Sequence, residues 1–134
     1  MSLEQLKSTG NPDIDGTHKL IIELLEEVLS NIKNNSLKDV PFQIKNLLWI
    51  ASQHFKDEEQ LMREIDYPFR ESHFLAHNNI TLKLMHLLEL FDKPPTKIKW
   101  LLNTIEHNII SHVEQFDVAL FRYNTLILNN ARLV

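Results

Sequence analysis

The sequence predicts an all-α protein, an antiparallel up-down-up-down four-helix bundle with a short C-terminal tail. Three observations predict it. Four long stretches carry apolar residues at helical spacing, strand-like alternation is thin, and the two glycines, Gly10 and Gly16, both precede the first periodic stretch. The 134 residues suit one domain spanning 1–134, long enough to bury a core without a covalent staple.

The elements follow in order. A first helix is expected from about Thr17 to Lys33, with Ile21, Ile22, Leu25, Leu29 and Ile32 as its apolar stripe and Asp15 as its cap. "NNSLKD" then offers Asn and Ser side chains to a turn. The second helix starts near Pro41, a residue suited to a first helical turn, and runs to about Ile65. "DYPFRE" ends it, since Pro68 biases Tyr67 away from helix. The third runs from about Glu71 to Phe91 through Leu84, Leu87 and Leu88, and "DKPPT" stops it. The fourth runs from about Lys97 to Phe121. The tail "RYNTLILNNARLV" is too apolar for a solvated end and is expected to fold back on the bundle.

Composition removes several function classes. A net charge of -4, from 14 basic and 18 acidic residues, gives no electrostatic case for nucleic acid or an anionic membrane. No apolar run approaches the roughly 20 residues of a membrane span, and "MSLEQLKSTG" lacks the apolar centre of a secretory signal. The absence of cysteine excludes disulfides, thiol catalysis and thiolate ligands. The expectation is a reducing, cytoplasmic setting, with no nucleic acid and no membrane as partner. The chemistry falls to seven histidines, the carboxylates and the hydroxyls.

Histidines interrupt the stripes that should face inward. His18 opens the first stripe. His54 lies between Ile50 and Leu61 with Glu58 one turn on. His73 and His77 lead to Ile80 and Leu84, and Ile98, Leu102, Ile105 and Ile109 lead to His112. Each alone has a plain structural reading as a cap, an i,i+4 pair or a packed ring. Their axial positions point elsewhere. His18 is early in the first helix, His54 and Glu58 late in the second, His73 and His77 early in the third, His112 and Asp117 late in the fourth. In an antiparallel bundle these places share one end. Burying five imidazoles and two carboxylates without a cation is costly, so the cluster reads as a metal site. Asp117 fits least well, because five residues on from His112 is about 140° around an ideal helix. His86 and His107 lie off the stripes, and Asp57, Glu59, Glu106 and Glu114 read as solvated faces.

Five imidazoles and two carboxylates exceed one tetrahedral zinc and hold too much nitrogen for calcium or magnesium. Two iron ions suit the donor number, with manganese and cobalt left open. Two carboxylates can each bridge both ions. With one bridging oxide or hydroxide, a three-and-two division of the imidazoles gives a six- and a five-coordinate ion, and the open position can take a small ligand.

The motifs "DGTHKL", "HFKDEEQLM" followed by "YP", "HFLAH" and "HVEQFD" span Asp15 to Asp117. In this order the chain resembles the hemerythrin family, especially its single-domain bacterial members. The resemblance implies two iron ions (Fe2+/Fe3+) with an oxo/hydroxo bridge. It implies His73, His77 and His112 on the six-coordinate iron, His18 and His54 on the iron with the open position, and Glu58 and Asp117 bridging. It implies dioxygen as the reversible ligand in a pocket lined by Ile21, Phe55 and Ile109. Two departures stand out. Asn108 occupies a position where the family often has tryptophan, which is expected to admit water. The N-terminal segment also lacks the family's aromatic residue, which is expected to weaken pocket closure.

The leading expectation is an O2 binder for storage, delivery or buffering, and not an enzyme. The alternatives are an oxygen, redox or iron sensor that contacts a protein partner through the apolar tail from Leu126 to Val134, and a diiron oxidase or peroxidase. No substrate-binding constellation beyond the metal ligands argues for the last.

Overall fold

The computed structural model describes residues 3–90 and 95–133. The expected end of the third helix at Phe91, Asp92 to Pro94 of the "DKPPT" stop, and Val134 lie outside these residues. After a short 3-10 turn, Leu3–Gln5, come α1 (Pro12–Lys33), α2 (Val40–Glu64), α3 (Arg70–Glu89), α4 (Pro95–His112), a π-helical turn (Val113–Asp117) and α5 (Val118–Leu133). Helix α1 packs on α2, α2 on α3, α3 on α4 and α4 on α1, which closes a four-helix ring with no sheet among the described residues.

Local chemistry sets the helix ends. Helix α1 begins five residues before the expected start, and Asn11, not Asp15, is its cap. Asn11 accepts from the backbone N–H of Asp13 and Ile14, and Pro12 fills the first turn. Asp15 instead accepts from Ser8 Oγ at 2.6 Å and from Thr9 N at 2.8 Å, tying the preceding segment to the helix. Both of the next turns use a left-handed residue after the cap. Asn35 (φ 59°) lets Ser36 N–H reach Asn31 O at 2.8 Å, and Asp66 (φ 50°) lets Tyr67 N–H reach Met62 O at 2.9 Å.

The main core takes the expected stripes: Ile21, Ile22 and Leu25 from α1, Ile80 and Leu84 from α3, and Ile98, Leu102, Ile105 and Ile109 from α4. On α2 the buried face centres on Ile44, Leu47, Ala51 and Phe55, with Ile50 only partly covered. A second, smaller cluster of Met62, Tyr67, Leu120 and Phe121 caps the end that holds the histidines.

The fourth helix differs from the expectation in two ways. It is broken after His112 by the π turn, in which Val118 N–H donates to Val113 O. The tail does not fold back. It continues as α5, because no glycine or proline interrupts 118–133. Leu120 and Phe121 are buried, while Leu126 and Leu128 are 57% and 54% exposed. Among the described residues no helix is long and apolar enough to cross a membrane.

Candidate metal centre

Early α1, late α2, early α3 and the α4–π junction meet at one end of the ring. They bring together His18, His54, Glu58, His73, His77, His112 and Asp117, each at most 5% exposed. His54 and Glu58 share a face because an α-helix returns after about four residues. His112 and Asp117, five apart, share one because a π turn closes from residue i to i+5. The misfit of Asp117 with an ideal helix is therefore resolved by the backbone.

The ligand atoms form two overlapping groups that can hold metal ions: His73, His77 and His112 with Glu58 and Asp117, and His18 and His54 with the same two carboxylates. Within each group the atoms lie within 4.8 Å of one another. The carboxylates divide their oxygens between the groups. Glu58 Oε1 lies 3.0 Å from His77 Nε2 and 3.5 Å from His73 Nε2, while its Oε2 lies 3.3 Å from His54 Nε2. Asp117 Oδ1 lies 2.9 Å from His73 Nε2 and 3.1 Å from His112 Nε2, while its Oδ2 lies 3.0 Å from His18 Nε2.

Several features fit cations at this place. His18 Nε2 and His54 Nε2 are 3.0 Å apart, and His73 Nε2 and His112 Nε2 are 3.2 Å apart. Two imidazole nitrogens held cis on one ion, with bonds of roughly 2.1 Å, lie about 3.0 Å apart. Both ring nitrogens of His77 face carboxylate oxygens, Nε2 toward Glu58 and Nδ1 toward Glu59. The ring serves both only with two protons or with a cation at Nε2. Glu58 Oε2 and Asp117 Oδ1 are buried among these ring nitrogens, 3.3 Å from His54 Nε2 and 2.9 Å from His73 Nε2.

The electrostatics show the same mutual dependence. Burial and the charge of Asp117 push Glu58 upward, but hydrogen bonds from His54, His73 and His77 outweigh them and hold it at about 2. Burial likewise opposes Asp117, which bonds from His112, His18 and His73 hold well below the usual carboxylate range. Burial disfavours the charged His73 ring, yet its bonds to Asp117 and Glu58 raise it to about 9. His54 is raised against its burial by Glu58, whereas burial keeps His112 below its ordinary value.

Beside the cluster lies a void of about 10 Å³, walled by Ile21, Ala51, Phe55, Ile80, Ile109 and Val113 together with His18, His54, His112 and Asp117. That is room for about one water-sized molecule. Asn108 does not line it. Its Oδ1 accepts from Lys83 Nζ at 2.8 Å, its Nδ2 donates to Thr104 O, and it borders a surface cleft between α3 and α4. The expected route for water through Asn108 is therefore corrected.

Other residues also sit differently from expectation. Glu59 is not simply solvated: its side chain is 22% exposed and its Oε2 accepts from His77 Nδ1–H at 2.8 Å. Glu106 is buried, against the expectation of a solvated face, while Asp57 and Glu114 are exposed. His86 and His107 are exposed and outside the cluster. Phe55 stacks on His77 at 4.1 Å, and Phe116 stacks on His112 at 5.1 Å. Phe116, Ala51, Ile80 and Val113 carry no sequence signal beyond helical packing.

An all-α bundle with five imidazoles around two shared carboxylates has the form of a diiron-type metal site. No family model matches the chain, and no solved structure matches it significantly. The chain is similar to the bacteriohemerythrins of Campylobacter jejuni subsp. jejuni serotype O:6 (strain 81116) and serotype O:23/36 (strain 81-176). Each is 28% identical over 122 residues, which cover 90% of this chain and 92% of the relative. The bacteriohemerythrin of Aquifex aeolicus (strain VF5) is 22% identical over 116 residues, 84% of this chain and 88% of that one. With this homology along nearly its whole length, the chain is hemerythrin-like.

Proposed function

We propose that this chain, acting as one domain, binds dioxygen reversibly at a non-haem diiron centre for storage, delivery or buffering in the cytoplasm. The observation that carries the reading is the division of each carboxylate between two imidazole groups beside a small apolar void. In this reading His73, His77 and His112 hold one ion, His18 and His54 hold the other, and Glu58 and Asp117 bridge them. Two irons with an oxo/hydroxo bridge would supply the pair of electrons that O2 takes up on binding.

The rest is the work of this chain's own residues. Ile21, Phe55 and Ile109 form the O2 pocket, and at 2%, 7% and 5% exposure they keep bulk water from the donor atoms. Phe55 and Phe116 fix the planes of His77 and His112 by stacking. The two carboxylates offset the ions' charge in a site that water does not solvate.

The test is anaerobic loading with Fe(II), an iron count, and visible spectra before O2, after O2 and after its removal. Two irons per chain and a band that appears and vanishes reversibly are expected. An irreversible change would overturn reversible binding, and no specific iron uptake would overturn the site.

One observation favours a second reading, a sensor. Asp117 ends the π turn from which α5 continues directly, and α5 carries the exposed Leu126 and Leu128. A change at Asp117 would then pass along the helix to a protein partner. Hydrogen exchange of α5 that is the same in the oxidised and reduced forms would count against it.

A further inference from the structure

The imidazoles of the cluster are not equivalent on their outer sides. The Nδ1 atoms of His18, His73 and His112 are buried without a hydrogen-bonded partner. His77 alone has a carboxylate there among the described contacts, Glu59 Oε2 at 2.8 Å. Its ring is also held in its plane by Phe55, which stacks at 4.1 Å with 12° between the rings. Glu59 is steadied in turn by Arg63, whose Nη2 lies 3.9 Å from Glu59 Oε1 one helical turn on.

We propose that Glu59 is a positioning residue for His77, fixing its Nδ1–H tautomer and making the metal position of His73, His77 and His112 the more strongly donating of the two. The inference rests on the diiron reading above. The physical reason is direct. A carboxylate that accepts the Nδ1 proton holds the Nε2 lone pair toward the metal and raises its basicity. The position served by His18 and His54 has no such carboxylate among the described contacts, so the two positions differ in more than ligand number. A stronger donor favours the more highly charged ion, so the iron of the three-imidazole group should be the harder to reduce.

The experiment compares Glu59→Gln and Glu59→Ala with the unaltered protein. Glu64→Gln serves as the control, since it removes one charge from an exposed position on the same helix. Glutamine still accepts a hydrogen bond but carries no charge. Each iron-loaded protein is challenged with a chelator, and its midpoint potentials are measured. Glu59→Gln should lose iron from one position about 10-fold faster, and Glu59→Ala 10–100-fold faster. One potential should shift upward in both, and neither quantity should move in Glu64→Gln. Unchanged chelation rates and potentials in both Glu59 variants would overturn the proposal.

A second readout does not need iron. In the metal-free protein, 15N-histidine NMR should show His77 with a protonated Nδ1 that moves on Glu59→Gln and stays in Glu64→Gln. If that change is seen while the unaltered protein takes up no iron, the diiron reading fails and the Glu59–His77 pairing stands. If His77 is unmoved by Glu59→Gln, the pairing itself is wrong.

Discussion

Helices α2 and α4 each deliver one imidazole and one carboxylate to the centre, by different backbone devices. On α2 the pair is His54 and Glu58, four residues apart on an unbroken 25-residue α-helix. On α4 it is His112 and Asp117, five apart, and the helix must pass through the π turn Val113–Asp117 to bring both inward. The longer glutamate reaches the shared position from a regular helix. The shorter aspartate reaches it because the backbone itself is displaced. Spacing in the sequence therefore encodes local helix geometry, and π turns concentrate where function demands them.

The largest expected effect comes from breaking either carboxylate, because both groups share both. Glu58→Ala and Asp117→Ala should each lower the iron count from two per chain to below one. Each should also abolish the rise in thermal stability on adding Fe(II). That rise is worth about 4 kcal/mol at a thousandfold excess of free metal over its Kd. Iron counting and calorimetry check both. If Asp117→Ala kept two irons while Glu58→Ala lost them, the two devices would not be equivalent.

A sharper test removes the π turn. Deleting the exposed Glu114 sets the aspartate four residues after His112, the spacing found on α2. The segment can then close as a regular α-helix, since a π turn absorbs one extra residue, and Leu120 and Phe121 keep their place against Met62 and Tyr67. Stability should change by no more than about 1 kcal/mol, against about 3 kcal/mol for Leu120→Ala in the same cluster. Most iron should be lost, because the short aspartate no longer has the displaced backbone that carries it to the shared position. Combining the deletion with Asp117→Glu, which copies the side-chain length used on α2, should restore part of the iron. Two irons in the deletion alone would show the π turn to be dispensable.

How much of this was legible follows from where each partner sits. His73 and His77, or His54 and Glu58, can be read because both members lie on one helix at one-turn spacing. The meeting of all four helices at one end follows from antiparallel order. Asp117 was named through resemblance and against ideal geometry, since no residue in "HVEQFD" announces a π turn. Glu59 escaped because its partner lies 18 residues away on another helix. Glu106 was taken for a solvated acid from its neighbours alone, although it is 4% exposed. The tail was misread for a different reason. Apolar side chains do not have to be covered, and a surface carries many of them.

The metal-free and iron-loaded proteins should respond oppositely to pH. His73 in the folded protein sits at about 9, above the ordinary value of 6.5, and His54 is raised too. The stability they contribute is fully present below pH 6.5 and is lost as pH rises through the folded values. Glu58 is held at about 2, below 4.5, so its contribution is present above pH 4.5 and is lost as pH falls through 2. His112, lowered by burial, opposes the other two rings and costs stability as pH falls below 6.5. Metal-free protein should therefore weaken between pH 6.5 and 9, by up to about 1.4 kcal/mol per pH unit for each proton. Ligating rings must give up their Nε2 protons, so iron affinity should rise across the same range. Denaturant titrations of the metal-free form and chelator competition on the loaded form separate the two trends. A metal-free protein that gains stability from pH 6.5 to 9 would contradict the charge distribution described above.

The smallest effect belongs to the far end of the second device. Past Glu58, α2 continues into Met62, which is 0% exposed, whereas α5 past Asp117 soon reaches Leu126, which is 57% exposed. Met62→Ala should cost about 3 kcal/mol and Leu126→Ala no more than about 0.5 kcal/mol. Denaturant midpoints of the isolated protein measure both. The contrast matters because a cost for Leu126→Ala near that of Met62→Ala would mean that α5 is covered in solution, by a fold-back or by a second copy. Repeating the titration over a hundredfold range of protein concentration tells these apart, since only cover by a second copy makes the midpoint depend on concentration.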